Sequence, residues 1–150
     1  MFKQILCPTD LEQRSDVALK TAVQVAHRFN AKITLLNVHP EFMGREEREL
    51  LRVSIEKMKE EDTQAALQAR EKMNQSIQKL HVENVPFSYL LRGGKVEAAI
   101  LEVAGEIDAD LIVMASDGRD NIVDFVAGTI TEHIINRSSC PVLVVPYKPN

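Results

Sequence analysis

Apolar and polar positions alternate along this chain with two periods, and each change of period marks an element. Residues 2–7 (FKQILC) form a short apolar-rich run closed by Pro8-Thr9-Asp10, which predicts a first strand and a loop opening at Asp10. Ser15-Asp16 is a candidate helix cap. Val17, Ala18, Thr21, Ala22, Val25, Ala26 and Phe29 then recur at helical spacing as far as Asn30, a stripe that one face of a sheet can cover. Residues 33–38 (ITLLNV) form a β-branched and aliphatic run ended by His39-Pro40. Strand, helix and strand in this order predict a βαβ unit with a right-handed crossover.

Residues 45–62 are dense in both signs of charge, with Leu50, Leu51, Ile55 and Met58 as the apolar positions. This pattern suits a solvated helix start with mixed charge pairs, or a flap over a site. Ala66, Ala69, Met73, Ile77 and Leu80 continue a clear helical stripe, and a third strand is expected over residues 85–91. Gly93-Gly94 makes a turn before an amphipathic helix through Val96, Ala99, Ile100, Val103, Ala104 and Ile107. The unbroken apolar run 111–114 reads as a strand buried on both faces, followed by the turn Ser116-Asp117-Gly118. A helix through Ile130, Ile134 and Ile135 leads to a polar turn at 136–139. A fifth strand follows over 141–145, with Pro141 at its start where no ladder N–H is needed. Five strands alternating with four helical segments predict one α/β domain over residues 1–150, an open, doubly wound, mostly parallel sheet with helices on both faces.

Composition narrows the possible roles. The chain has 150 residues, 45% hydrophobic and 27% charged, with no transmembrane-length apolar run and no signal-peptide pattern, which suits a cytoplasmic protein and no membrane partner. A formal net charge of -4 without a Lys/Arg cluster argues against nucleic acid as a partner. Cys7 and Cys140 are too few for a disulfide framework and lack metal-site spacing, so both read as buried structural thiols.

The candidate chemistry gathers between Asp110 and Pro146. Nine residues separate Gly118 from Gly128, and Gly128-Thr129 stands directly before a helix. The first turn of a helix has unpartnered N–H groups and the positive end of the helix dipole, so anions bind there. Gly128 would admit a phosphate close to the backbone, and the Thr129 hydroxyl would cap the helix or donate to a phosphate oxygen. An ordinary glycine turn with a Thr cap is the alternative. Ligands of doubly wound sheets bind beyond the carboxyl ends of the strands, where strand order reverses. The segments leaving those ends are Pro8-Thr9-Asp10, Val38-His39 and Ala115 to Arg119.

These features together resemble a universal stress protein of the nucleotide-binding type. That family's signature is Gly, two residues, Gly, nine residues, Gly, then Ser or Thr; here Ala115 stands at the first glycine and Gly118, Gly128 and Thr129 match the rest. ILCPTD, DADLIVM and CPVLVVP extend the resemblance over essentially the whole chain. It implies strand order 3-2-1-4-5 and an adenine nucleotide (ATP, ADP or AMP) bound between strands one and four. Pro8, Thr9, Asp10 and Val38 would surround the adenine and ribose, with Asp10 on the ribose hydroxyls and the Val38 backbone on the base edge. Met114, Ala115, Gly118, Arg119, Gly128, Thr129 and Ile130 would line the phosphate side.

Asp117, Asp120 and Asp124 would repel a triphosphate unless a cation lies between, so Mg²⁺ or Mn²⁺ dependence, or a preference for AMP or ADP, is expected. The resemblance also implies a homodimer through residues 142–145. Neither GxxxxGK[ST] nor GxGxxG occurs and no catalytic base is evident, so at most a slow phosphate hydrolysis is expected. Three roles follow: a nucleotide-binding stress or signalling protein acting through ligand-modulated interactions, a slow ATPase or phosphoryl transferase, and a dimeric interaction protein without nucleotide.

Overall fold

The computed structural model describes residues 1–39, 55–116 and 129–147. Its elements are β1 (Gln4–Thr9), α1 (Gln13–Phe29), β2 (Lys32–His39), α2 (Ile55–Lys79), β3 (Phe87–Gly93), α3 (Val96–Glu106), β4 (Leu111–Ala115), α4 (Ile130–Arg137) and β5 (Val142–Val145). The five strands form one sheet in the order β3-β2-β1-β4-β5, with every adjacent pair parallel. The open, doubly wound α/β architecture and the strand order 3-2-1-4-5 are as expected. Residues 45–54 of the charged stretch lie outside the described residues. From Ile55 the chain is helical.

Two hydrophobic layers sandwich the sheet. On one face Ile5, Cys7, Ile33, Leu35, Leu111 and Val113 meet Ala18, Leu19, Ala22 and Ala26 of α1 and Ala69 and Met73 of α2. On the other, Leu6, Leu36, Ile112 and Met114 meet Ile100, Val103 and Ala104 of α3 and Ile134 of α4. Successive residues of β1, β2 and β4 serve opposite layers, so these strands are buried residue after residue rather than in alternation, with Thr34 and Asn37 as buried polar positions in β2. Burial pushes the Cys7 thiol up to about 12, whereas Cys140 is only half-buried, which corrects the expectation for the second thiol. Among the described residues no helix is long and apolar enough to cross a membrane.

Three boundaries differ from the sequence reading, each for a physical reason. β1 runs through Pro8 to Thr9 instead of stopping at the proline, because Pro8 keeps its pairing with Leu36 of β2. Its missing N–H faces the other neighbour, β4. There pairing ends at Leu6↔Ile112, and the next rung would need a Pro8 N–H to bond the Val113 carbonyl. β3 is shifted two residues onward. Pro86 offers only its carbonyl, to the Ile33 N–H at 2.9 Å, so strand pairing begins after it, and Gly93 pairs with His39. The turn then falls on Gly94 at φ 93°, a left-handed conformation that suits glycine.

The third difference is at α1, which starts at Gln13 behind a Glu12 cap whose side chain makes no capping bond, and so places Ser15 inside the first turn.

The β1–β4 seam is closed at its other end. The Asp110 carboxylate accepts from the Lys3 N–H at 2.7 Å and from the Gln4 N–H at 3.1 and 3.2 Å, while the Asp110 N–H donates to the Gln4 carbonyl at 2.9 Å.

Candidate functional site

Where β1 and β4 part beyond Pro8, a cavity of about 150 Å³ opens. It is lined by Pro8, Thr9 and Asp10 from β1 and its loop, Arg14 and Ser15 from α1, and Leu36 and Val38 from β2. Val96 and Ile100 from α3, Met114 and Ala115 from β4, and Ile130 from α4 complete it. A groove of about 710 Å³ runs between α1 and α2 past Lys20, Lys72 and Lys79. That groove is larger, but apart from Leu11 and Leu80 its lining comes from the flanks of α1 and α2 and includes no strand residue.

The loop after β1 is held by its own side chains. Thr9 Oγ1 accepts from the Leu11 N–H at 3.0 Å, and Leu11 takes φ 66°. The Thr9 carbonyl is fixed by Asn37 Nδ2 at 3.0 Å. Asp10 Oδ1 accepts from the Glu12 N–H at 2.9 Å and from Ser15 Oγ at 2.5 Å, and Ser15 Oγ accepts from the Asp10 N–H at 2.9 Å. Arg14 Nη2 donates to Asp10 Oδ2 at 2.7 Å. Partial burial raises the Asp10 pKa, but the hydrogen bonds from Ser15, Arg14 and Glu12, with the Arg14 charge, outweigh it and hold the carboxyl below its ordinary value. Asp10 is an anion at neutral pH.

The Val38 backbone has an open side. Lys32 N–H bonds to Lys3 of β1 while Ile33 N–H bonds toward β3, so by alternation Val38 turns its N–H and carbonyl toward β1. Pairing there ends at Thr9↔Asn37. The next rung would bring the Leu11 N–H to the Val38 carbonyl, but that N–H is bound to Thr9 Oγ1 instead. The turn at Leu11 thus leaves the Val38 carbonyl facing the space that β1 vacates.

Next to Ile130 of the cavity wall, Thr129 is the N-cap of α4, and its Oγ1 accepts from the Glu132 N–H at 3.1 Å. Capping uses a lone pair of the hydroxyl and leaves its proton for another acceptor. The two roles expected of Thr129 are therefore compatible.

Seven of the expected residues, Pro8, Thr9, Asp10, Val38, Met114, Ala115 and Ile130, line one cavity, and Thr129 adjoins Ile130. Gly118, Arg119 and Gly128, with Asp117, Asp120 and Asp124, lie outside the described residues. Among the described residues no group of three or more His, Cys, Asp or Glu side chains could hold a metal ion.

Sequence reasoning missed Arg14, Ser15, Leu36, Val96 and Ile100. Asp10 and Arg14 carry opposite charge at i,i+4 spacing, a signal that was available. Val96 and Ile100 were read only as core positions of a helical stripe, and one end of that stripe is the cavity wall.

A family model described as "Universal stress protein family" matches residues 1–146. The chain is 30% identical to universal stress protein MJ0577 of Methanocaldococcus jannaschii over 99% of this chain and 97% of that protein. The solved structure of MJ0577 superposes with a TM-score of 0.76 at 28% identity, covering 100% of this chain and 99% of that one. The fold is also similar to a universal stress protein solved in complex with cAMP, at TM-score 0.69 and 22% identity over 97% of each chain. The universal stress protein from Archaeoglobus fulgidus solved in complex with dAMP gives TM-score 0.63 and 19% identity, over 96% of this chain and 97% of that one.

Proposed function

We propose that this chain, which belongs to the universal stress protein family, binds an adenine nucleotide where β1 and β4 part, and acts in the cytoplasm as a stress or signalling protein through ligand-modulated interactions. The observation that carries this reading is the convergence of seven residues, from four separate stretches of sequence, on one cavity at the reversal of strand order. Leu36, Val38 and Ile100 give a base an apolar bed, and Met114 and Ile130 continue it toward the phosphate side. The Val38 carbonyl accepts the exocyclic amino group of adenine; guanine presents an oxygen at that ring position, and two acceptors would face each other. Asp10 takes the ribose.

A volume of about 150 Å³ is below the roughly 300 Å³ of a site enclosing a whole drug-sized ligand, so the described walls suit the base and sugar. The phosphates extend to the N-terminus of α4, with Thr129 and, by the sequence reading, Gly118, Arg119 and Gly128. Mg²⁺ or Mn²⁺ would neutralise phosphate charge beside Asp117, Asp120 and Asp124. The relatives solved with cAMP and dAMP support this ligand class.

Denaturing the purified protein and analysing the released small molecules by mass spectrometry should yield ATP, ADP or AMP. Titration calorimetry should then show adenine nucleotides binding at least about tenfold tighter than their guanine counterparts, the equivalent of about 1.4 kcal/mol. Equal affinities would remove the base site from the Val38 edge, and no binding would leave the fold without this function.

The second part of the proposal is a homodimer through β5. This strand is the sheet edge beside β4, and Leu143 is 38% exposed on it while Val142 and Val144 pack against the α3/α4 layer. An apolar edge invites a mate, and antiparallel pairing across a two-fold axis covers both copies at once. Light scattering should give twice the chain mass at micromolar concentration. Leu143→Lys should give a folded monomer, whereas Val144→Lys should also disturb the core. A monomeric wild type would end the dimer proposal.

A further inference from the structure

The Asp10 carboxylate is already engaged by its own loop. A carboxylate offers about four lone-pair positions, two on each oxygen. Oδ1 uses both, on the Glu12 N–H at 2.9 Å and on Ser15 Oγ at 2.5 Å. Oδ2 uses one, on Arg14 Nη2 at 2.7 Å. The side chains of Arg14 and Asp10 stay 38% and 36% exposed, and both line the cavity, so the remaining position on Oδ2 opens toward a ligand.

We propose that Arg14, with Ser15, presets Asp10 as a single-acceptor reader of the sugar, so that the site reads one hydroxyl of the ribose cis-diol and is indifferent to the other. This rests on the adenine-nucleotide reading above. A free carboxylate can turn both oxygens to a cis-diol and accept both hydroxyls. Here rotation about the Cβ–Cγ bond would break the bonds from Ser15, Glu12 and Arg14 together, and Oδ1 has no position to give. Arg14 is a positioning residue. It acts through the carboxylate and needs no contact with the sugar.

The bond from the recognised hydroxyl ends on an anion, and losing a bond of that kind weakens binding roughly ten- to a hundredfold. Removing the other hydroxyl, which donates to water with or without the protein, changes affinity less than about threefold.

The test is titration calorimetry of the full chain with AMP, 2′-deoxy-AMP and 3′-deoxy-AMP. Wild type should lose at least about tenfold with one deoxy nucleotide and stay within about threefold with the other. In Arg14→Ala, checked for folding by circular dichroism, Oδ1 stays held by Ser15 and Glu12 but Oδ2 regains a position and can accept both hydroxyls, so the two deoxy nucleotides should come within about threefold of each other. Arg14→Lys should restore part of the asymmetry, since an ammonium can reoccupy Oδ2 without matching the planar fork. Equal losses in wild type, or an undiminished asymmetry in folded Arg14→Ala, would overturn the proposal while leaving adenine-nucleotide binding intact. If the alanine variant does not fold, Arg14→Met, which keeps the aliphatic stem and offers no donor to Oδ2, decides in its place by the same comparison. Failure of AMP itself to bind wild type would overturn the nucleotide reading and this proposal with it.

Discussion

Val38→Trp should leave the protein folded and weaken adenine-nucleotide binding at least about a hundredfold, or about 2.7 kcal/mol. Val38 is on the last rungs of β2, its side chain partly buried against the α3/α4 layer and on the wall of the cavity. An indole there occupies the bed proposed for the base, and overpacking typically costs about 1–3 kcal/mol of stability. Val38→Ala is the control. It widens the bed but keeps the backbone carbonyl, so the preference for adenine over guanine should survive while affinity falls modestly. Calorimetry on both variants, with melting curves, separates the outcomes; unchanged affinity in folded Val38→Trp would place the base elsewhere.

Ile112→Ala should be among the most destabilising single truncations in the chain, by about 2–5 kcal/mol. Ile112 is fully buried at the middle of β4, where its backbone pairs with both Leu6 and Val142 and its side chain lies in the α3/α4 layer. Neighbours on paired strands are held by the sheet ladder and cannot close over the space left behind. At roughly 2–4 °C per kcal/mol for a domain of this size, melting should fall by several degrees or more. Urea titration should move the midpoint with little change in slope. Leu143→Ala, at a half-exposed edge position, should cost less than about 1 kcal/mol in the monomer. A comparable loss at both positions would mean that β4 is not the packed centre of the fold.

Much of this was legible in the chain. The unbroken apolar run LIVM can be covered only from two sides, so it implies a strand of a sandwiched parallel sheet without reference to any relative. The helical stripes named their own buried faces, and Ala18, Ala22, Ala26, Ile100 and Val103 are where period 3.6 puts them. What escaped was decided by pairing rather than by pattern. A proline looks like a stop in a string of letters, but Pro8 is tolerated because only one of its two neighbours needed an N–H there. β3 slid two residues because β2 stayed extended as far as His39 and offered rungs to Arg92 and Gly93.

Within the candidate site, Pro8, Thr9, Asp10, Val38 and Ala115 were legible because they lie where strands end, whereas Met114 and Ile130 came from the resemblance. Ser15 was misassigned for the same reason it matters. A serine near a helix start reads as a cap, yet its hydroxyl reaches back to Asp10 and not to the helix.

The seam between β1 and β4, bolted at one end by Asp110 and parted at the other by Pro8, has a consequence for how a ligand arrives. A cleft between hydrogen-bonding strands would ordinarily be metastable, able to zip shut when empty and to be prised apart on each encounter. A proline nitrogen cannot be zipped. If the proposed nucleotide binds here, its association should therefore be limited by diffusion and orientation and not by unzipping of the β1–β4 seam, which stopped-flow binding linear in ligand concentration would show. The fastening at Asp110 lies at the other end of the same seam, so β1 and β4 are held in register by contacts that no occupant of the mouth needs to supply.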